Sequence, residues 1–193
     1  MYREGPAPGI PGAVRWASVS RGAASVRVLP DGCLDLLWSS RSGLLVAGPD
    51  RTAHLSVSVP GERWVGLRLP PGTGPAVFGV PADELRDQRV PLADLWGRAA
   101  ADLADRVAAA DVSAADRPDP VAEAVGTTPH RDLRRHRAGS AAGDPAASAL
   151  GRGPVAAVLE EVALGRLRAA GGPDPLGARV AARLAAGGTV AAT

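Results

Sequence analysis

Residues 25–38 read SVRVLPDGCLDLLW, and this stretch decides the class of fold. An alternating run of polar and apolar residues leads to the turn sequence PDG at residues 30–32, and a second apolar run follows. Two such runs joined by a short loop that contains glycine are typical of a β-hairpin. The pattern therefore predicts two antiparallel strands, at residues 25–29 and 33–38.

Further strand-like segments follow at similar spacing, and each ends at a turn that contains glycine or proline. They lie at residues 44–47, 54–59 and 63–69. Short, regularly spaced strands rich in valine, leucine and tryptophan favour a small antiparallel β-sandwich or β-barrel.

The composition changes near Gly97. All six aromatic residues lie before it, whereas the residues after it are dominated by alanine, arginine, leucine and aspartate, which favour helix. We therefore expect an α+β fold, with a small antiparallel, cupin-like barrel or sandwich followed by a helical half. The expected organisation is a β-rich domain at 1–97 closed by two short helices (81–85 and 91–96), a helix at 98–110, a flexible linker at 111–153 and a helical segment at 154–193.

Charge and cysteine content exclude several classes of protein. The 193 residues carry a net charge of only +2, which is low for a nucleic-acid-binding domain. The single cysteine, Cys33, excludes an internal disulfide and a zinc site built from several thiolates. No apolar run is long enough to span a membrane and the first residues do not read as a secretory signal, so we expect a soluble, cytoplasmic protein with no membrane partner.

Two charged residues stand inside otherwise apolar strands. Because side chains alternate between the faces of a strand, Asp35 and Arg68 both point away from their leucine and valine neighbours. If the two strands are close, the two charges share a face. They are then a structural ion pair, ligand contacts or simply exposed side chains.

Tryptophans near this pair extend the candidate ligand site. Trp38 and Trp64 lie on the same two predicted strands as Asp35 and Arg68. Tryptophan in a small domain either packs in the core or stacks against a ligand, and the sequence leaves both interpretations open. The candidate ligand-binding residues are thus Asp35, Arg68, Trp38 and Trp64.

Catalytic, metal and cofactor sites find little support in the sequence. Cys33 has no neighbouring histidine and is interpreted as a structural residue, and His54 alone in the β-rich half is weak evidence for a metal. No phosphate-binding glycine motif follows a strand. The basic cluster at 130–137 is either a solvated linker or a phosphate contact. We expect no enzyme activity, no cofactor, no metal and no assigned DNA-binding residue.

Several segments together resemble a known family. They are YREGPAP at 2–8, LPDGCLDLLW at 29–38, LLVAGPD at 44–50 and the run from Arg63 to Gly97. In this order and spacing they resemble an uncharacterised N-terminal domain of AraC-type bacterial transcription regulators. In that family the domain precedes a pair of helix-turn-helix units, and residues 174–193 resemble the lead-in to the first unit, with TVAAT at 189–193 as the start of its first helix.

The resemblance implies a regulatory role, in effector sensing or dimerisation, that controls transcription when the chain is joined to a helix-turn-helix domain. The expected partners are a small-molecule effector, a second copy of the chain, and DNA only through a C-terminal domain that is missing from this sequence. The rival hypothesis is a stand-alone small barrel that binds a ligand or metal as an enzyme. Two or more convergent histidines or carboxylates in a cavity would favour that rival.

Overall fold

The computed structural model describes residues 2–115 and 153–186 of the chain. Eight strands precede or interleave with the first helices: β1 (Tyr2–Pro6), β2 (Val14–Val19), β3 (Ala24–Val28), β4 (Leu34–Ser39), β5 (Gly43–Ala47), β6 (His54–Ser58), β7 (Arg63–Leu69) and β8 (Arg89–Pro91). The helices are α1 (Gly74–Phe78), α2 (Leu92–Trp96), α3 (Arg98–Ala115), α4 (Pro154–Ala169) and α5 (Pro175–Ala185).

Six of the strands form one antiparallel sheet in the order β1-β2-β7-β4-β5-β8. The other two, β3 and β6, form a separate two-stranded sheet. The α+β class is therefore confirmed, with the strands in the N-terminal half. The described strands do not close into a barrel, because the large sheet ends at β1 on one side and at β8 on the other.

The predicted hairpin between residues 25–29 and 33–38 is wrong, although both strands exist. β3 pairs with β6, and β4 pairs with β5 and β7. Leucines occupy both faces of β4, so this strand buries more apolar surface between two neighbours than at the edge of a hairpin. The PDG turn therefore carries the chain from one sheet to the other.

Two predicted helices also differ from the structure. Residues 81–85 form a series of tight turns, in which Glu84, Leu85 and Arg86 each donate a backbone hydrogen bond to the residue three positions earlier. The helix that begins at Arg98 continues to Ala115, beyond its predicted end at residue 110. The rest of the predicted linker, the basic cluster at 130–137 and the segment 189–193 lie outside the described residues.

The core lies between the helices and one face of the large sheet. Alternate residues of the central strands point into it, as the sequence alternation predicted, and they meet the apolar sides of α1 to α4. Its fully buried members include Leu36, Leu67, Phe78, Leu103 and Leu159. The other side chains of these strands point to the opposite face of the sheet, away from the helices.

Helix α4 is tied to the sheet by a buried ion pair. Glu160 accepts hydrogen bonds from the Arg15 guanidinium of β2 and from the backbone N–H of Gly9. Both side chains are largely removed from water, with exposed fractions of 7% for Glu160 and 14% for Arg15. Breaking such a pair leaves an uncompensated buried charge, so this contact fixes how α4 sits on β2.

Helix α5 begins at Pro175, within the segment 154–193 that the sequence predicts to be helical. The carboxylate of Asp174 accepts hydrogen bonds from the backbone N–H groups of Leu176 and Gly177, which caps the first turn. Within residues 2–115 and 153–186, no helix combines the length and the apolar character that crossing a bilayer requires.

Candidate functional site

A polar cluster lies on the sheet face that points away from the helices. Asp35 of β4 and Arg68 of β7 are direct partners in the antiparallel register, so their side chains emerge side by side on this face. Trp16 of β2 joins them, because its indole N–H donates a 2.9 Å hydrogen bond to Oδ1 of Asp35. The predicted shared face of Asp35 and Arg68 is therefore confirmed.

Arg68 lies between two carboxylates. Its Nε is 3.6 Å from Oδ1 of Asp35 and 3.3 Å from Oδ2 of Asp31, which stands in the turn before β4. Neither contact has hydrogen-bond geometry, and the buried Nε has no hydrogen-bond partner among the described residues. The guanidinium is thus held by electrostatic attraction to the two carboxylates, and its Nε–H can still donate a hydrogen bond to another acceptor.

A glycine makes room for the indole of Trp16. Gly66 lies directly opposite Trp16 in the register of β2 and β7, and a Cβ at position 66 would meet the indole at 2.2 Å. The ring therefore lies across the backbone of β7, between the side chains of Trp64 and Arg68 on either side of Gly66. Only glycine permits this close approach.

Burial shifts the pKa values of the two central charges. Burial raises the pKa of the Asp35 carboxyl, and it outweighs the opposing effects of Arg68 and of the Trp16 hydrogen bond. Burial acts to lower the pKa of Arg68, but the carboxylates of Asp35 and Asp31 outweigh it and raise that pKa. The two carboxylates therefore stabilise the charged form of Arg68, whereas burial disfavours the charged form of Asp35.

Two neighbouring groups are kept in their neutral forms. Burial, with the nearby Asp31 carboxylate, raises the pKa of the Cys33 thiol to about 12. Burial and the hydrogen bond from its hydroxyl to Glu4 raise the pKa of Tyr2. A thiol with such a high pKa is a poor nucleophile at neutral pH.

The four predicted ligand-binding residues are divided between the two faces of the sheet. Trp64 lies on the same face as Asp35 and Arg68. Trp38 lies on the helix face, where it packs against the core beneath the guanidinium of Arg63 at 5.5 Å from the ring centroid. The structure therefore brings together Asp35, Arg68 and Trp64, and it separates Trp38 from them.

Sequence reasoning missed three members of this cluster, namely Tyr2, Trp16 and Asp31. Tyr2 and Trp16 stand on β1 and β2, which were not predicted as strands. Their rings pack at a centroid distance of 5.8 Å. The alternation of VRWASV at 14–19 was the available signal, but only the pairing of β2 with β7 shows that Trp16 reaches Asp35.

An open groove of about 550 Å³ adjoins the cluster along the hairpin of β1 and β2. It is lined by residues 4–7 and 11–14. Val14 belongs to the groove and is the direct cross-strand neighbour of Arg68. A second groove, beside the end of α4 at Leu167, lies elsewhere and contains none of the cluster residues.

The comparisons with known proteins give one match. Residues 12–91 match the model of DUF6597, a domain of unknown function. No curated protein and no solved structure matches the chain.

The matched segment runs from the loop before β2 to the end of β8. It includes Trp16, Asp35, Trp64 and Arg68. The candidate site is therefore mostly contained in the part of the chain that is similar to this domain, while Tyr2 and helices α2 to α5 lie outside it.

The cluster presents several groups that can bind a ligand. It offers charged groups of both signs, an indole held in a fixed plane and an unsatisfied N–H donor, but its thiol is held protonated. Among the described side chains, no three histidine, cysteine, aspartate or glutamate residues converge in a way that could hold a metal ion.

Proposed function

We propose that the chain is the effector-sensing part of an AraC-type transcription regulator and that the effector binds on the sheet face of Asp35 and Arg68. One observation carries the binding role: a buried guanidinium nitrogen without a hydrogen-bond partner, beside a fixed indole and next to an open groove. Buried polar groups are nearly always hydrogen-bonded, so an unsatisfied one at a surface groove favours a ligand. The sequence resemblance supplies the regulatory context.

A ligand on this face has a short structural route to helix α4. Trp16 and Arg15 are adjacent on β2 and therefore point to opposite faces of the sheet. Trp16 holds Asp35 on the ligand side, whereas Arg15 holds Glu160 of α4 on the other side. In the proposed mechanism, an effector that shifts Trp16 changes the population of α4 positions, and so changes how a helix-turn-helix domain joined to the chain is presented to DNA.

The binding role is tested by thermal unfolding of the purified full chain against a panel of sugars, amino acids, amines and aromatic acids. A compound that binds only the folded state raises the melting temperature, and the increase grows with the logarithm of the ligand concentration once this exceeds the dissociation constant. We expect one class of compound to stabilise the wild type and to have no effect on the Arg68→Met and Trp64→Ala variants. Arg51→Met is the control, because Arg51 is exposed and pairs with Asp87, and neither residue belongs to the candidate cluster.

The result that contradicts the proposal is equally defined. If the stabilising compounds act as strongly on Arg68→Met as on the wild type, or if no class stabilises the wild type, the face is not an effector site.

Binding of the chain to DNA is measured separately by gel shift at physiological salt. With a net charge of +2, this chain alone is expected to show only weak, salt-sensitive binding to DNA.

A further inference from the structure

The two-stranded sheet of β3 and β6 collects most of the exposed apolar side chains. Nine large apolar or aromatic side chains are exposed in the part of the chain that the structure describes. Five of them belong to this sheet or to the residue that follows it: Val26, Val28, Leu29, Leu55 and Val57. Clustering of this kind marks an interaction surface more often than chance exposure does.

The most exposed of these side chains share one face. Leu55 and Val57 are 64% and 72% exposed, and both point to the face of β6 that also carries Ser25 and Arg27 of β3. A two-stranded sheet is marginal in water without further strands or a covering layer. This sheet therefore gains stability from any partner that adds a strand and covers Leu55 and Val57.

Strand β6 also lacks the features that usually protect an edge. Within residues 2–115 and 153–186 it pairs only with β3, so its other edge has no strand beside it. Its sequence, HLSVS, contains no lysine, no acidic residue and no proline. Those residues are the common means by which proteins block pairing at an exposed edge.

The sequence of β6 is complementary to itself. When two antiparallel copies pair about Ser56, Leu55 of each copy lies opposite Val57 of the other, and His54 lies opposite Ser58. The two apolar pairs fall on one face, where Ser25 and Arg27 flank them. Pairing of β3 with itself about Val26 would instead set Arg27 opposite Ser25 and leave the apolar pairs of β6 uncovered.

We propose that two copies of this chain associate through the free edges of β6, antiparallel about a two-fold axis at Ser56, to form a four-stranded sheet. An isologous contact of this kind closes after two copies and does not propagate. Five residues of edge bury less than the roughly 800 Å² per partner of a standard interface. The dimer is therefore weak and depends on concentration.

The first test is sedimentation equilibrium of the full chain from about 5 to 200 µM, a range that brackets a dissociation constant of tens of micromolar. Wild type forms dimers over this range. The double variant Leu55→Lys/Val57→Lys stays monomeric because like charges then face each other. Leu176→Lys is the matched control, since Leu176 is 61% exposed on α5, and its dimerisation is unchanged.

Charge complementation makes the test specific for the register. Leu55→Glu/Val57→Glu is monomeric alone, but an equimolar mixture with the double lysine variant forms a heterodimer, because every lysine then faces a glutamate. Circular dichroism of each variant shows that it is folded. A wild type that is monomeric throughout, or a double lysine variant that dimerises like the wild type, overturns the proposal.

A cross-link locates the two-fold axis. In a Cys33→Ser background, Ser56→Cys forms an intermolecular disulfide on mild oxidation, because directly opposed residues have Cα atoms about 4.5–5.5 Å apart, within disulfide range. Ser25→Cys on β3 is the control and does not form one. Equal cross-linking of both variants rejects the β6 register.

The dimer proposal and the effector-site proposal are tested independently. Effector binding uses residues other than Leu55 and Val57, so the double lysine variant keeps any ligand response of the wild type.

Discussion

Asp35 and Arg68 are direct cross-strand partners on the face of the sheet opposite the helices, with Arg68 Nε 3.6 Å from Asp35 Oδ1. Their exposed fractions are only 16% and 23%. The two residues are not equivalent, because Arg68 has a second carboxylate, Asp31, within ion-pair distance. Among the described residues, Asp35 forms its ion pair with Arg68 alone and accepts the hydrogen bond of the Trp16 N–H. Removing one or the other therefore has unequal consequences.

Arg68→Met is expected to destabilise the chain far more than Asp35→Asn. The methionine leaves the Asp35 charge without its cation, which costs about 3 kcal/mol for a largely buried carboxylate. Asparagine keeps an acceptor for the Trp16 N–H and removes a charge whose burial is unfavourable, so its cost is about 1 kcal/mol or less. Denaturant unfolding of each variant, followed by circular dichroism, measures the difference.

The double variant Asp35→Asn/Arg68→Met completes the cycle. Because asparagine removes the charge that methionine leaves unpaired, the double variant should lose less stability than the two single losses added together. Losses that add within about 0.5 kcal/mol would show that the two side chains do not interact. Equal losses for the two single variants would contradict the asymmetry.

The stability of Arg68→Met is expected to depend on pH. Burial raises the pKa of Asp35, and removal of Arg68 removes a charge that opposes this rise. A carboxyl whose pKa is raised by folding contributes stability below its unfolded pKa and loses it as pH rises through the folded pKa. The deficit of Arg68→Met relative to wild type should thus be larger at pH 8 than at pH 4, and a deficit that shrinks with rising pH would contradict this.

Alternation within a strand was enough to predict the faces of β4 and β7. The period of two fixes which side chains share a face, so Asp35 and Arg68 could be placed opposite Leu36 and Leu67 without knowledge of the pairing. Strand existence at β4 to β7 and the start of α4 also followed from local patterns and turn residues. Strand faces, strand positions and helix starts depend on residues that are close together in the sequence, so local patterns are sufficient to predict them.

Pairing and long-range contacts could not be predicted in the same way. The PDG turn satisfies a hairpin pattern, yet β4 lies between β5 and β7, and β3 pairs with β6 in a separate sheet. Trp16 reaches Asp35 only because β2 pairs with β7, a neighbour about fifty residues away in the sequence. Such contacts depend on competition between alternative pairings over the whole chain, and no local signal reports the outcome.

Gly66→Ala is expected to displace Trp16 from the sheet face. The new Cβ would lie 2.2 Å from the indole, so the ring has to move and its hydrogen bond to Asp35 is strained or lost. Overpacking of this kind costs about 1–3 kcal/mol. Gly5→Ala is the matched control, since Gly5 is also in a strand and a Cβ there meets nothing within 4 Å. Chemical unfolding compares the two, and equal effects would contradict the close approach of Trp16 to Gly66.

Adjacent glutamates on α4 give a test of the helix attachment. Glu160 is buried against Arg15 and the Gly9 N–H, whereas Glu161 is 73% exposed in its pair with Arg106. Glu160→Gln should cost about 3 kcal/mol because Arg15 loses its counter-charge in a buried site. Glu161→Gln should change stability by less than about 1 kcal/mol. Similar losses for both would mean that the Arg15 contact does not fix α4 to β2.

Cys33 is expected to react slowly with thiol reagents in the folded chain. Its pKa is raised from 9.0 to about 12, chiefly by burial and by Asp31, so the thiolate fraction near neutral pH falls by about a thousandfold. The rate of reaction with a disulfide reagent at pH 7.5 should therefore be at least about a hundredfold lower than in the chain unfolded by guanidinium.

The same pKa shift makes the stability of the chain depend on pH. Because folding favours the protonated thiol, Cys33 contributes its full share to the free energy of unfolding below about pH 9, and this share is lost as the pH rises towards 12. Asp31→Asn provides the comparison, because it removes one of the charges that raise the pKa while leaving the thiol in place. That variant should react faster than the wild type at the same pH, and equal rates in the folded and unfolded wild-type chains would show that Cys33 is not protected by its surroundings.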